Sequence, residues 1–229
     1  MAGRSSRRQG GGGNERIQAL VQDKLDEGLQ YEALQLYRGV VARTSARGDY
    51  DGAISIAEKG IGVLLAAKGK DGEGCFADSA TELSNVLVGI LMDHELPCTE
   101  ERLAVITSVS AKFEDAKRKQ VLAEEDRRAA AQGDNGSGGV GNATVDDAPR
   151  DRGTHSIGTL QARLLKLAVG WTAARGRRVS GDPRLCALLG RCLWNEGEIE
   201  RGMKYLVLGE RPQELCDLIM QDVPSGHAR

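Results

Sequence analysis

Residues 28–54 read GLQYEALQLYRGVVARTSARGDYDGAI, and within them one phrase occurs twice. Gly28 precedes Tyr31-Glu32-Ala33-Leu34, and Gly48 precedes Tyr50-Asp51-Gly52-Ala53-Ile54. A third copy stands far downstream, where Gly197-x-Ile199-Glu200-x-Gly202-Met203 keeps the order of Gly48-x-Tyr50-Asp51-x-Ala53-Ile54. The first copy fits the same order with one extra residue. In each, the Gly suits the left-handed turn that ends a helix. The apolar residue is expected to pin the next helix, and the small residue to let two helices approach. Three such helix–turn–helix hinges in one chain imply stacked antiparallel helix pairs.

The periodicity around the hinges agrees. Ala53, Ile54, Ala57, Ile61, Leu64 and Leu65 follow the i, i+3, i+4, i+7 template after Tyr50. Before it, a helix over 14–27 carries Ile17, Leu20, Val21 and Leu25, with Asn14 as its cap. A helix over about 30–46 carries Leu34, Tyr37, Val40, Val41 and Thr44. A fourth bears Phe76, Ala80, Leu83, Leu87, Ile90 and Leu91. A fifth, which Thr99 can cap, bears Leu103, Ile106, Val109 and Phe113. Later come Ile157 to Trp171, then Leu185 to Leu193 behind Asp182-Pro183, an N-cap followed by proline at the first helical position. Ile199, Met203 and Leu206 begin one more helix, and Pro212 with Leu215, Leu218 and Ile219 the last. The expected fold is all-α: a right-handed α-solenoid of antiparallel pairs, tetratricopeptide-like but without a strict repeat length.

The pattern divides the chain. Residues 1–13 form a basic, Gly-rich tail with no apolar segment behind it, so they do not read as a secretory signal and should be disordered. Residues 14–113 and 156–221 are the two solenoid stretches, and 222–229 a tail. Between them, 114–155 is an insertion. Its first part, EDAKRKQVLAEEDRRAAAQ, can extend the fifth helix as a solvated charged segment, and the Gly/Asp/Ser-rich remainder should be a disordered loop.

Composition restricts function further. Of the 229 residues, 40% are hydrophobic and 28% charged, as in ordinary soluble domains, and no apolar run is long enough to span a membrane. Five cysteines, odd in number and without a C-x-x-C pair, fit free thiols in a reducing compartment, so the cytosol is the expected location. The first 48 residues hold eight Lys/Arg against five Asp/Glu, too slight an excess, with too few aromatics, for nucleic-acid binding.

Searching for chemistry yields little. His94, His155 and His227 lack metal-ligand spacing, and His94 is better read as compensating a helix end beside Glu95. KGKDGEG (68–74) lacks the phosphate-loop pattern and follows a helix, so it reads as a turn. Cys186 and Cys192 fit buried structural thiols, and Glu124, Glu125 and Asp126 a solvated face. No enzyme, metal or cofactor is expected. What remains is surface: Arg16, Lys24, Arg38, Arg43 and Arg47 lie on the first two helices, with Arg43 and Arg47 at i, i+4. Solubility alone accounts for such charges, but the end face of a solenoid is a common docking surface.

GLQYEALQLYRGVVAR, GDYDGAISIAEKGIGVLL and GDPRLCALLGRCLWNEGEIERGMKYLVLG together resemble the Golgi-to-ER traffic protein 4 family. That family is the α-solenoid scaffold of the guided-entry pathway for tail-anchored membrane proteins. The resemblance covers about residues 14–113 and 156–220. It implies a non-enzymatic scaffold whose N-terminal helices dock the dimeric cytosolic targeting ATPase and hold it nucleotide-bound. Its C-terminal helices would hold a ubiquitin-like-domain adaptor, and in animals a BAG-domain partner joins. The positions it assigns to the ATPase contact are Lys24, Arg38, Arg43 and Asp78, with Arg16 on the same helices. Leu34 and Cys186 stand where the family often has His. The family extends past the end of this chain, so the resemblance places the adaptor-binding half outside it. The alternative is a generic helical-repeat adaptor that grips a peptide.

Overall fold

The computed structural model describes residues 11–67, 75–133 and 156–222. The expectations for the first ten residues, for 68–74, for 134–155 with His155, and for the last seven residues with His227 lie outside them. Among the described residues every regular element is helical: α1 (Gly11–Asp26), α2 (Gln30–Ser45), α3 (Tyr50–Ala66), α4 (Ala77–Asp93), α5 (Glu100–Gly133), α6 (Ile157–Arg175), α7 (Pro183–Asn195), α8 (Ile199–Leu208) and α9 (Pro212–Asp222).

Caps explain most of the boundaries. Asp49 accepts from the Gly52 N–H, Thr99 from the Arg102 N–H, Ser156 from the Thr159 N–H and Asp182 from the Arg184 N–H. Each satisfies a donor that the first turn leaves without an intrahelical partner. Helix α1 starts at Gly11, so Asn14 lies inside it rather than at its cap.

The hinge glycines are left-handed as expected: φ is 75° at Gly28, 81° at Gly48 and 83° at Gly197. The residue after the turn donates back five positions, Leu29 to the Lys24 carbonyl and Glu198 to that of Leu193, which is the Schellman pattern. Two further hinges are built the same way without glycine. Glu95 (φ 53°) and Glu210 (φ 57°) take the left-handed place, and Leu96 and Arg211 donate to the Leu91 and Leu206 carbonyls.

The structure corrects the register of the repeated phrase. In all three copies the cap follows the Gly (Leu29, Asp49, Glu198) and the small residue stands five positions after it (Ala33, Ala53, Gly202). No extra residue intervenes, so Tyr50 corresponds to Gln30 rather than Tyr31. Tyr31 pins nothing, being 66% exposed, because a residue at the second position of the helix points away from the preceding one.

The chain forms two compact units, residues 1–90 and 91–229. In the first, α1 packs on α2 and α2 on α3. Val21, Leu25, Leu34, Tyr37, Ile54, Ile61, Leu64 and Leu83 are buried there, whereas Leu20 faces solvent. A Cβ on Gly60 would lie 2.7 Å from Leu83 and 2.8 Å from Tyr37, so glycine is what lets α3 sit between them.

In the second unit α5, α6, α7, α8 and α9 pack in chain order. The expected stripe on α8 is wrong in phase. Gly202, Leu206 and Gly209 face inward, while Ile199 and Met203 are more than a third exposed. The reason is close approach: a Cβ on Gly190 would lie 2.7 Å from the Leu206 nitrogen, and one on Gly202 3.0 Å from the Gly190 carbonyl. The division expected at residue 113 falls inside a helix. The charged stretch extends α5 to Gly133, and from Arg118 to Ala129 every residue is exposed.

Candidate partner-docking surfaces

The residues singled out for docking lie in the first unit, on α1, α2 and the start of α4. Lys24, near the end of α1, has its ammonium 2.9 Å from Glu27 and 3.3 Å from Glu32 of α2. The hydrogen bond to Glu27, then that to Glu32, raises its pKa. Arg38, midway along α2, reaches Glu82 of α4 at 3.4 Å. Asp78 is exposed in the first turn of α4, one turn before Glu82, where the helix N-terminus favours a carboxylate. Arg43 is exposed in the last turn of α2, where a cation complements the terminal carbonyls.

One expectation changes. Arg47 lies in the turn beyond Ser45, so it does not share a helical face with Arg43. The side chain of Arg16 lies outside the described residues. Nor is the surface simply basic, since Lys24 and Arg38 stand against Glu27, Glu32 and Glu82. The sequence held one clue to this: Glu82 follows Asp78 by four, which places both on one face of α4.

A second feature was not anticipated. In the second unit a cleft of about 540 Å³ lies at the α6–α7 connection, lined among others by Cys98, Glu100, Arg175, Arg177, Arg178 and Asp182. The neighbouring ion pairs are Arg175 with Glu95, Arg178 with Glu210, and Arg184 with Glu100 at 2.7 Å and Asp182 at 3.2 Å. Four arginines and four carboxylates surround the cleft, leaving it no preference for one sign of ligand.

Sulfur chemistry is quiet. Burial pushes the Cys192 thiol up to about 12, against the opposing pull of Lys117, and raises the thiols of Cys75, Cys98 and Cys186. Cys192 donates to the Gly158 carbonyl and Cys186 to that of Ser180, as structural cysteines do. Among the described residues no group of three or more His, Cys, Asp or Glu could hold a metal ion, and no helix is long and apolar enough to cross a membrane.

The family model described as GET4: Golgi to ER traffic protein 4 matches residues 47–228, well over half of the chain. The chain belongs to the Golgi to ER traffic protein 4 family. Among solved structures, the crystal structure of C. therm. Get4 is similar with a TM-score of 0.60 at 22% identity, over 90% of this chain and 52% of that one. At that identity the likeness speaks for the fold, and the fold is the expected helical solenoid. The chain spans about half the length of that Get4. No curated protein matches. The family match begins at residue 47, so Arg16, Lys24, Arg38 and Arg43 precede it and Asp78 lies within it.

Proposed function

We propose that this chain is a non-enzymatic cytosolic scaffold in the delivery of tail-anchored proteins to the ER membrane. It docks the dimeric targeting ATPase through α1, α2 and the start of α4. Membership of the Golgi to ER traffic protein 4 family carries the reading. The charges of the first unit support it locally, because half-buried Lys24 and exposed Arg38 and Arg43 present cations with exposed Asp78 on the same unit. Docking exchanges the pairs of Lys24 and Arg38 for intermolecular ones. Exposed ion pairs are worth only about 0–1 kcal/mol, so the exchange costs little. A surface of both signs favours orientation over raw affinity, suited to a scaffold that holds a nucleotide-bound dimer by contacting both subunits. The proposed assembly also holds a ubiquitin-like-domain adaptor and a BAG-domain partner, with the adaptor on the family's C-terminal half and not on α1, α2 or α4.

The test is a pull-down of the cognate ATPase by the full chain at low and high salt. Binding should weaken with salt, and Lys24→Glu, Arg38→Glu and Arg43→Glu together should reduce it about tenfold or more. ATPase binding that ignores the triple reversal removes the proposed surface. An absence of ATPase binding favours a generic helical-repeat adaptor.

A further inference from the structure

The outer part of α5 reads EDAKRKQVLAEEDRRA over residues 114–129. The solvated-face reading accounts for its charge but not for its order. Around the Val121–Leu122 pair the signs mirror one another: Arg118 and Lys119 on one side answer Glu124 and Glu125 on the other, and Asp115 answers Arg128. Val121 and Leu122 are 50% and 53% exposed, apolar residues held in water at the centre of that mirror.

Helical geometry gathers the relevant side chains. Arg118 is three and four residues from Val121 and Leu122, and Glu125 is four and three from the same pair, so the four share one face. Asp115 and Arg128 continue that stripe outward by one turn at each end. All six are exposed. The inward side of α5 is different, carried by Val109, Phe113 and Ala116, which are buried. The stripe therefore points away from the body of the unit.

We propose that this stripe is a self-association seam, in which two copies of the chain pair their α5 helices antiparallel about a two-fold axis between Val121 and Leu122. In that register Val121 of one copy packs on Leu122 of the other. Arg118 faces Glu125 of the second copy, and Glu125 faces its Arg118. Asp115 faces Arg128 of the second copy, which exchanges its bond to Glu124 of its own helix (3.2 Å) for an intermolecular one. A two-fold contact must be self-complementary, and a mirrored order of opposite charges satisfies this. Parallel pairing would set Arg118 on Arg118 and Glu125 on Glu125, so the same charges exclude it. Lys117 takes no part, because Glu196 holds it at 2.7 Å. The overlap of sixteen residues is about 24 Å long with a single apolar layer, so the association is weak and salt-sensitive.

Sedimentation equilibrium of the full chain tests this from about 1 μM to about 1 mM, the range in which so short a seam associates. The chain should form a reversible dimer that weakens with added salt. Arg118→Glu alone and Glu125→Arg alone should each weaken dimerisation about tenfold or more, since each places like charges opposite one another. The double variant restores opposite signs and should return to within about threefold of the parent. As a second measurement, Leu122→Cys in a Cys216→Ser background should oxidise to a covalent dimer faster than Gln120→Cys, which is exposed but lies about 160° around the helix. A chain that stays monomeric throughout, a double variant that stays as weak as the singles, or equal cross-linking at the two positions overturns the proposal and leaves the stripe to solvent or to another protein.

Discussion

Glu196, just past the end of α7, joins three helices through one carboxylate. It accepts from Lys117 of α5 at 2.7 Å, from Thr159 of α6 at 3.3 Å and from Ser156 at the α6 cap, and its side chain is only 16% exposed. Burial pushes its pKa up, but Lys117, Ser156 and Thr159 outweigh that and leave it lowered from 4.5. The folded value therefore lies below the unfolded one. The stabilisation is complete above about 4.5 and is lost as pH falls through the folded value. Glu196→Gln should lower stability by about 1–3 kcal/mol at neutral pH and flatten the loss on acidification, read from urea melts at pH 7 and pH 4. Trp171 is the matching neutral case: fully buried, it donates its indole N–H to the Leu96 carbonyl at 3.0 Å. Trp171→Phe keeps most of the apolar contact but leaves that carbonyl unpaired, and should cost about 1–3 kcal/mol. Neither role was legible beforehand, because each depends on a residue more than thirty positions away.

At the scale of elements, glycines act here in two separable ways. Gly197 is left-handed and a Cβ there would meet nothing within 4 Å, so Gly197→Ala costs only backbone strain, about 1–2 kcal/mol. Gly190 has no such φ, but its added Cβ would strike the backbone of α8 at 2.7 Å. Gly190→Ala should cost about 1–3 kcal/mol or more through overpacking, and thermal melts of both variants check the pair. Replacing Gly197 with Asn, which tolerates the left-handed region, should recover part of the loss, whereas no residue larger than glycine should recover Gly190. The distinction also explains which element was misread. On α2 to α7 large apolar residues carry the inward face, so Leu34, Ile54, Leu87, Ile106 and Leu164 are buried as their spacing implies. On α8 the inward face is Gly202, Leu206 and Gly209, and a search for large apolar residues lands on Ile199 and Met203 instead. The acidic hinges at Glu95 and Glu210 escaped notice similarly, since glycine is the usual mark of a left-handed turn.

For the whole molecule, function rests on surfaces, and these were only half legible. Lys24, Arg38, Arg43 and Asp78 could be placed on their helices by spacing, yet their electrostatic setting could not. Whether Arg38 meets Glu82 depends on α2 and α4 coming together, forty-four residues apart in the chain. A charge-swap experiment makes this concrete. If the Arg38–Glu82 pair is exchanged for the ATPase, Glu82→Gln should leave ATPase binding unchanged or strengthen it, and should alter stability by less than about 1 kcal/mol. The cleft at the α6–α7 connection is a stronger instance, because none of its charges is adjacent in sequence to its partners on α5 or in the turns around Glu95 and Glu210. The sequence by itself determined the helices, the caps at Thr99 and Asp182, the left-handed glycines and the solenoid class, since these follow from interactions within a few residues: 3.6-residue periodicity, capping and the steric freedom of glycine. Only the tertiary structure decided the register of the hinge phrase, the glycine seam between α7 and α8 and the ion pairs across helices. Those depend on which elements come within a few ångströms of one another, and local spacing does not specify that approach.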